Sequence, residues 1–141
     1  MSRIYWDTML FIYLLEDHPV YAPRTRQLLE RAYKRRDSLY TSYLALGEVM
    51  AGAEKTQWPR KALTVTEVVK EMGFSFLPFD GGAVTPFSTL RARQKLKIAD
   101  SIHLACAASA GIDLFLTGDK QLTKLDIPGI QFIADFNNPL F

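Results

Sequence analysis

One cysteine, two histidines and a net charge of only +2 set the first limits on this 141-residue chain. Cys106 has no partner within the chain, so no internal disulfide can form and nothing argues for an oxidising compartment. A helix core is its expected place, because a free cysteine behaves as a small apolar residue. So few Cys and His residues make a structural zinc site or a Cys/His nucleophile pair a poor fit. No G-x-x-x-x-G-K-S/T or G-x-G-x-x-G run occurs, so nucleoside triphosphate and dinucleotide binding lack their usual signals. The apolar stretch from Ile4 to Leu15 is broken by Asp7, is too short to span a bilayer as a helix, and meets no small-residue cleavage site. The expectation is a soluble, cytoplasmic protein. Repeats, low-complexity tracts and Gly/Ser linkers are missing too. With 48% hydrophobic and 23% charged residues, the length fits one domain over residues 1–141 with a sizeable core.

What is present alternates strand and helix. Arg3 to Trp6 reads as a buried strand, followed by an apolar helix from about Thr8 to Glu16 and a break at Asp17-His18-Pro19. A second helix is expected from Pro23 to Arg36, with Leu28 and Leu29 inward, then a short strand from Leu39 to Thr41. Ser42 or Thr41 can cap a third helix that continues to Ala51, where Gly52 supplies a stop. Trp58-Pro59 opens another helix ending near Gly73, with Pro59 suited to a first turn. Phe74 to Phe79 reads as a strand. Asp80 can cap a helix weakened early by Gly81, Gly82 and Pro86, and Ile98 to Ser109 is a small-residue helix stopped by Gly111. Ile112 to Leu116 is a strand, Lys120 to Leu125 a short helix, and Ile130 to Ala134 a last strand. Such alternation implies a mainly parallel sheet covered on both faces. Ligands of such sheets bind beyond the carboxyl ends of the strands.

Four acids sit where an acid is locally out of place. Asp7 ends a buried strand, and Asp119 follows another across Thr117-Gly118. Glu48 shares a helix face with Leu44 and Ala51, at i, i+4 and i+7. Asp100 shares one with His103, Leu104 and Ala107, close to a helix N-terminus where an anion is favoured. Capping accounts for Asp100 or Asp119 taken singly, and a structural ion pair for Glu48. Gathered in one cleft, however, the four would repel and take up protons unless a cation neutralised them. An oxygen-rich site of that kind suits Mg²⁺ or Mn²⁺. It points to metal-dependent phosphodiester cleavage. His103 reads as a core residue or one supporting that site from behind.

At these residues the chain resembles the PIN-domain family, and especially its VapC-like toxins. The matching segments are Ile4-Tyr5-Trp6-Asp7-Thr8, Leu46-Gly47-Glu48-Val49, Ile98-Ala99-Asp100-Ser101-Ile102-His103-Leu104-Ala105 and Phe115-Leu116-Thr117-Gly118-Asp119. Their order and spacing fit nearly the whole chain, and the Asp100 segment is the most specific. The resemblance implies a three-layer α/β/α fold with a mainly parallel central sheet. It also implies a Mg²⁺- or Mn²⁺-dependent endoribonuclease, a homodimer, held inactive by a small antitoxin. Asp7, Glu48, Asp100 and Asp119 would form its acidic site, with Thr117 as the accompanying hydroxyl. Many relatives carry Asn or Ser two positions after the first Asp, where this chain has Met9.

Two basic clusters could engage RNA phosphates or merely line solvated helix faces. One is Arg24, Arg26, Arg31, Lys34, Arg35 and Arg36; the other, Arg91, Arg93, Lys95 and Lys97, leads into Asp100. The rival to a nuclease is a non-catalytic PIN module that binds RNA or a protein. A phosphate-transferring enzyme with Asp7 as nucleophile ranks below both, because Asp7-Thr8-Met9 lacks the second acid of a D-x-D pattern.

Overall fold

Five short apolar segments pair into one sheet in the computed structural model, which describes residues 1–55 and 62–141. They are β1 (Arg3–Trp6), β2 (Ser38–Ser42), β3 (Phe74–Leu77), β4 (Ile112–Thr117) and β5 (Ile130–Asp135). Their order is β3-β2-β1-β4-β5, and every pairing is parallel. The helices are α1 (Thr8–Leu15), α2 (Ala22–Arg35), α3 (Tyr43–Lys55), α4 (Ala62–Glu71), α5 (Gly81–Arg93) and α6 (Ile98–Ala110), with a 3₁₀ turn at Leu122–Lys124.

Central β1 is apolar on both faces because both are covered. Ile4 and Trp6 pack with Phe11 of α1, Leu28 of α2, Val49 of α3, Val65 of α4 and Phe74 of β3. Tyr5 packs on the other side with Leu90 of α5, Leu104 of α6 and Phe115 of β4. The expected three layers, helices on both faces of a parallel sheet, are therefore present. Among the described residues, no helix is long and apolar enough to cross a membrane.

Boundaries differ from expectation where tertiary contacts decide them. Gly52 does not stop α3, which runs on to Lys55. Ala45, Val49 and Ala53 form its buried stripe at i, i+4 and i+8, so the packed face continues past the glycine. The strand expected to reach Phe79 ends at Leu77, opposite Ser42, the last residue of β2. Beyond it Pro78 has no N–H to pair. The helix expected from Lys120 to Leu125 shrinks to the 3₁₀ turn at Leu122–Lys124. Gly111 stops α6 as expected, at φ +69°. The Trp58-Pro59 helix start lies outside the described residues.

Candidate active site

The sheet order reverses direction between β1 and β4: the chain moves outward through β2 and β3, then returns to β4 on the other side of β1. Crevices open at such switch points, beyond the strand carboxyl ends. Asp7 follows β1 and Thr117 ends β4, so the topology brings them together.

Asp7 caps α1, its Oδ1 accepting from the Thr8 N–H at 2.8 Å. Its Oδ2 accepts from Thr117 Oγ1 at 2.8 Å. Thr117 Oγ1 in turn accepts from the Asp119 N–H at 3.0 Å, so one hydroxyl ties both acids to the end of β4. Asp119 is exposed and its Oδ1 accepts from the Gln121 N–H at 2.9 Å, a local turn ahead of the 3₁₀ segment, whose N-cap is Gln121 and not Asp119. Asp100 comes from the first turn of α6. Burial raises its pKa first, and the charges of Asp7 and Asp119 raise it further. Three carboxylates from three segments therefore share one field, and the protonated form of Asp100 is the one they favour.

Glu48 stands apart from that group. The buried stripe of α3 runs through Ala45, Leu46, Val49 and Ala53, whereas Ala51 is exposed, so Glu48 lies at the edge of the stripe and not in it. Its side chain is 38% exposed. Oε1 accepts from Thr8 Oγ1 at 2.8 Å and from His103 Nε2 at 2.7 Å. The His103 bond, ahead of the opposing effect of burial, holds its pKa below the ordinary carboxylate value.

His103 is 3% exposed and faces two carboxylates, with Nε2 also 3.6 Å from Asp7 Oδ1. On its other side, Nδ1 lies 2.7 Å from the Tyr5 hydroxyl, which donates to Ser42 Oγ at 2.8 Å. A carboxylate only accepts, so Nε2 carries a proton. Nδ1 bonds the Tyr5 hydroxyl, so both ring nitrogens are hydrogen-bonded. Burial is the largest influence and pulls the His103 pKa down. The Glu48 bond with the charges of Asp7, Glu48 and Asp100 outweighs it, so the net direction is upward.

Tyr5 and Thr8 were not named as site residues from sequence, and Ser42 only as a helix cap, a role it fills by accepting from the Ala45 N–H. Strand periodicity held a signal for Tyr5, because residues 5 and 7 of a strand face the same way. Met9 is 40% exposed, and Thr8 supplies the hydroxyl that reaches Glu48. Among the described residues, no three acidic, histidine or cysteine side chains are gathered closely enough to hold a metal ion as they stand. The donor chemistry nevertheless fits a hard divalent cation. Asp7, Asp100 and Asp119 offer oxygen only, and their repulsion is what such a cation would relieve.

The basic clusters separate by role. Arg24 donates to the carbonyls of Phe136 and Asn138, Arg31 to that of Phe141, and Arg26 pairs with Asp17, so much of the first cluster is structural. Arg91, Arg93, Lys95 and Lys97 are exposed; Arg91 donates to the Leu96 carbonyl, and the charge of Lys97 acts on Asp100.

A family model described as PIN domain matches residues 4–128. Ribonuclease VapC23 of Mycobacterium tuberculosis is 30% identical over 128 residues, covering 86% of this chain and 96% of that protein. Among solved structures, DNA-bound VapBC from Salmonella typhimurium aligns with TM-score 0.74 and 24% identity, over 96% of this chain and 99% of the other. VapBC2 from Rickettsia felis, bound to a DNA fragment from its promoter, aligns with TM-score 0.74 and 17% identity, over 94% and 98%.

Proposed function

This chain belongs to the PIN-domain family, and on that premise we propose that it is a Mg²⁺- or Mn²⁺-dependent endoribonuclease. We read it as one domain, acting in the cytoplasm as the toxin of a toxin–antitoxin pair, in a homodimer restrained by an antitoxin protein. The observation that carries the enzyme reading is that Thr117 ties Asp7, just past β1, to Asp119, just past β4, with Asp100 within the field of both. The likeness to a named ribonuclease over most of both chains supports the substrate class. The solved VapBC complexes support the antitoxin partner.

Asp7, Asp100 and Asp119 would hold the metal, with Glu48 completing the acidic site from α3. A metal bound there supplies Lewis-acid polarisation of a phosphate and a water of lowered pKa. The chain's own groups do the rest. Thr117 orients Asp7 and the backbone of Asp119. Lys97, Lys95 and Arg93 lie just ahead of Asp100 and suit a sequence-independent grip on the RNA backbone. Choice of cut site would fall to the shape and splayed bases of an RNA loop.

A second reading, a PIN module that binds without cutting, draws on the absence of a tight three-ligand cluster among the described residues. One experiment separates the two. Purified, partner-free protein is incubated with a folded tRNA pool in Mn²⁺ or in chelator, beside Asp7→Asn and Asp100→Asn. Cleavage that needs Mn²⁺ and disappears in both variants is the expected result. Folded protein that neither cuts RNA nor binds Mn²⁺ would favour the binding module.

A further inference from the structure

Behind Glu48 a line of buried polar side chains runs from the acidic crevice into the core. Ser42 ends β2, Tyr5 lies in β1 and His103 in α6, so three elements contribute one residue each. The links measure 2.8 Å from Tyr5 to Ser42, 2.7 Å from Tyr5 to His103, and 2.7 Å from His103 to Glu48. Ser42 and Tyr5 are 0% exposed and His103 is 3% exposed. At its inner end Ser42 Oγ also accepts from the Ala45 N–H at 3.1 Å, which fixes it at the start of α3, the helix that carries Glu48.

Packing alone does not call for these groups. The Tyr5 ring is already stacked on Phe115, with centroids 4.7 Å apart and planes 8° from parallel, so the hydroxyl is not needed to place it. Apolar residues at positions 5 and 103 would fill the same layer without desolvating a hydroxyl and two ring nitrogens. What the line does accomplish is at its outer end. The Nε2 edge of His103 stands between Glu48 Oε1 at 2.7 Å and Asp7 Oδ1 at 3.6 Å, spacing carboxylates that arrive from different elements. Thr8, next to Asp7, donates to the same Glu48 oxygen.

We propose that His103, held by Tyr5 and Ser42, is a positioning residue that keeps Glu48 in register with Asp7 and acts on the metal and the RNA only through Glu48. The proposal rests on the acidic-site reading above. Residues that orient metal-site groups from behind are typically worth about 10- to 100-fold in metal affinity or activity.

A double-mutant cycle tests this on Mn²⁺ affinity, by calorimetry without RNA, and on kcat and KM for cleavage of the tRNA pool. His103→Ala and Glu48→Gln should each lower Mn²⁺ affinity and kcat by about 10-fold or more, with KM little changed. In the Glu48→Gln background, adding His103→Ala should have no further effect. His103→Gln, which keeps an N–H for Glu48, should recover most of the loss. Additive losses, or wild-type Mn²⁺ affinity and kcat in folded His103→Ala, would overturn the proposal. If His103→Ala does not fold, Tyr5→Phe replaces it in the same cycle with the same expectations. Asp100→Asn is the control: if it too keeps Mn²⁺ binding and cleavage, the acidic-site reading fails and the positioning role falls with it. If Asp100→Asn is inactive while the His103 and Tyr5 variants are not, the positioning role alone fails.

Discussion

Thr117→Val is the sharpest single perturbation of the proposed site. The side chain is fully buried, and its hydroxyl makes one bond to a carboxylate and accepts one from a backbone N–H. Valine fills nearly the same space, so what is lost is the polar function. A hydrogen bond to a charged group contributes about 1.5–3 kcal/mol and a neutral one about 0.5–1.5 kcal/mol, so the loss should be about 2–4.5 kcal/mol. At about 2.1 cal/mol/K of unfolding entropy per residue, 141 residues give about 0.3 kcal/mol/K, which converts that loss to a Tm about 7–15 °C lower. Thr117→Ser keeps the hydroxyl and loses a methyl, so it should cost only about 1 kcal/mol. Mn²⁺ affinity should separate the pair more cleanly. The Val variant should bind about 10- to 100-fold more weakly because Asp7 is no longer oriented, while the Ser variant stays near wild type. Differential scanning fluorimetry in chelator gives the Tm values, and calorimetry the affinities. A Val variant that melts within about 2 °C of wild type and binds Mn²⁺ equally well would refute the idea that this hydroxyl organises the site.

Three further perturbations read other parts of the molecule. Burial and the charges of Asp7 and Asp119 raise the Asp100 pKa from its ordinary 3.8, so ionised Asp100 burdens the folded state at neutral pH. That burden is relieved as pH falls through the raised folded value. Asp100→Asn should therefore melt higher than wild type in chelator near neutral pH, with the gap closing on acidification and no gain from added Mn²⁺; a variant that melts lower at neutral pH would contradict this. Gly129→Ala places a Cβ 2.5 Å from the Ala108 carbonyl oxygen at a φ of +97°, so denaturant melts should show a loss of at least about 3 kcal/mol with an unchanged m-value. Cys106 is 2% exposed and its thiol is pushed up to about 11, chiefly by burial, so Ellman's reagent at about pH 8 should label it only after denaturation.

The four acids stood out as candidates in the sequence because each broke an apolar pattern, and the parallel sheet was legible because strands and helices alternated. The topology then explains why Asp7 and Thr117 meet, since the ends of β1 and β4 are neighbours at the reversal. Glu48 was harder to place. Its spacing from Leu44 and Ala51 defines a helical face, but spacing cannot say which face is buried, and Ala45, Val49 and Ala53 compete for that role. Gly52 misled for a related reason: a glycine stops a helix only where packing does not continue beyond it. The Tyr5–Ser42 link joins residues 37 positions apart in separate strands, and no local pattern encodes such a pairing.

One geometric constraint underlies the whole site. On a strand, neighbouring side chains face opposite ways, and β1 obeys this: Ile4 and Trp6 join the core under α1 to α4, and Tyr5 the core under α5 and α6. Two positions on from Tyr5, Asp7 ends the strand beside the helix that carries Asp100. On that helix His103 is three residues from Asp100, so the two occupy adjacent positions on one face. The strand period of two and the helix spacing of three thus bring Tyr5 against His103, and Asp7 into the field of Asp100, in a single register. Slipping β1 by one residue would turn Trp6 toward α6 and Tyr5 toward α1, undoing both contacts at once. The aromatic run ahead of Asp7 therefore serves the acidic site as directly as the acids do. Its large side chains fix the register, and the register decides which carboxylates share one field.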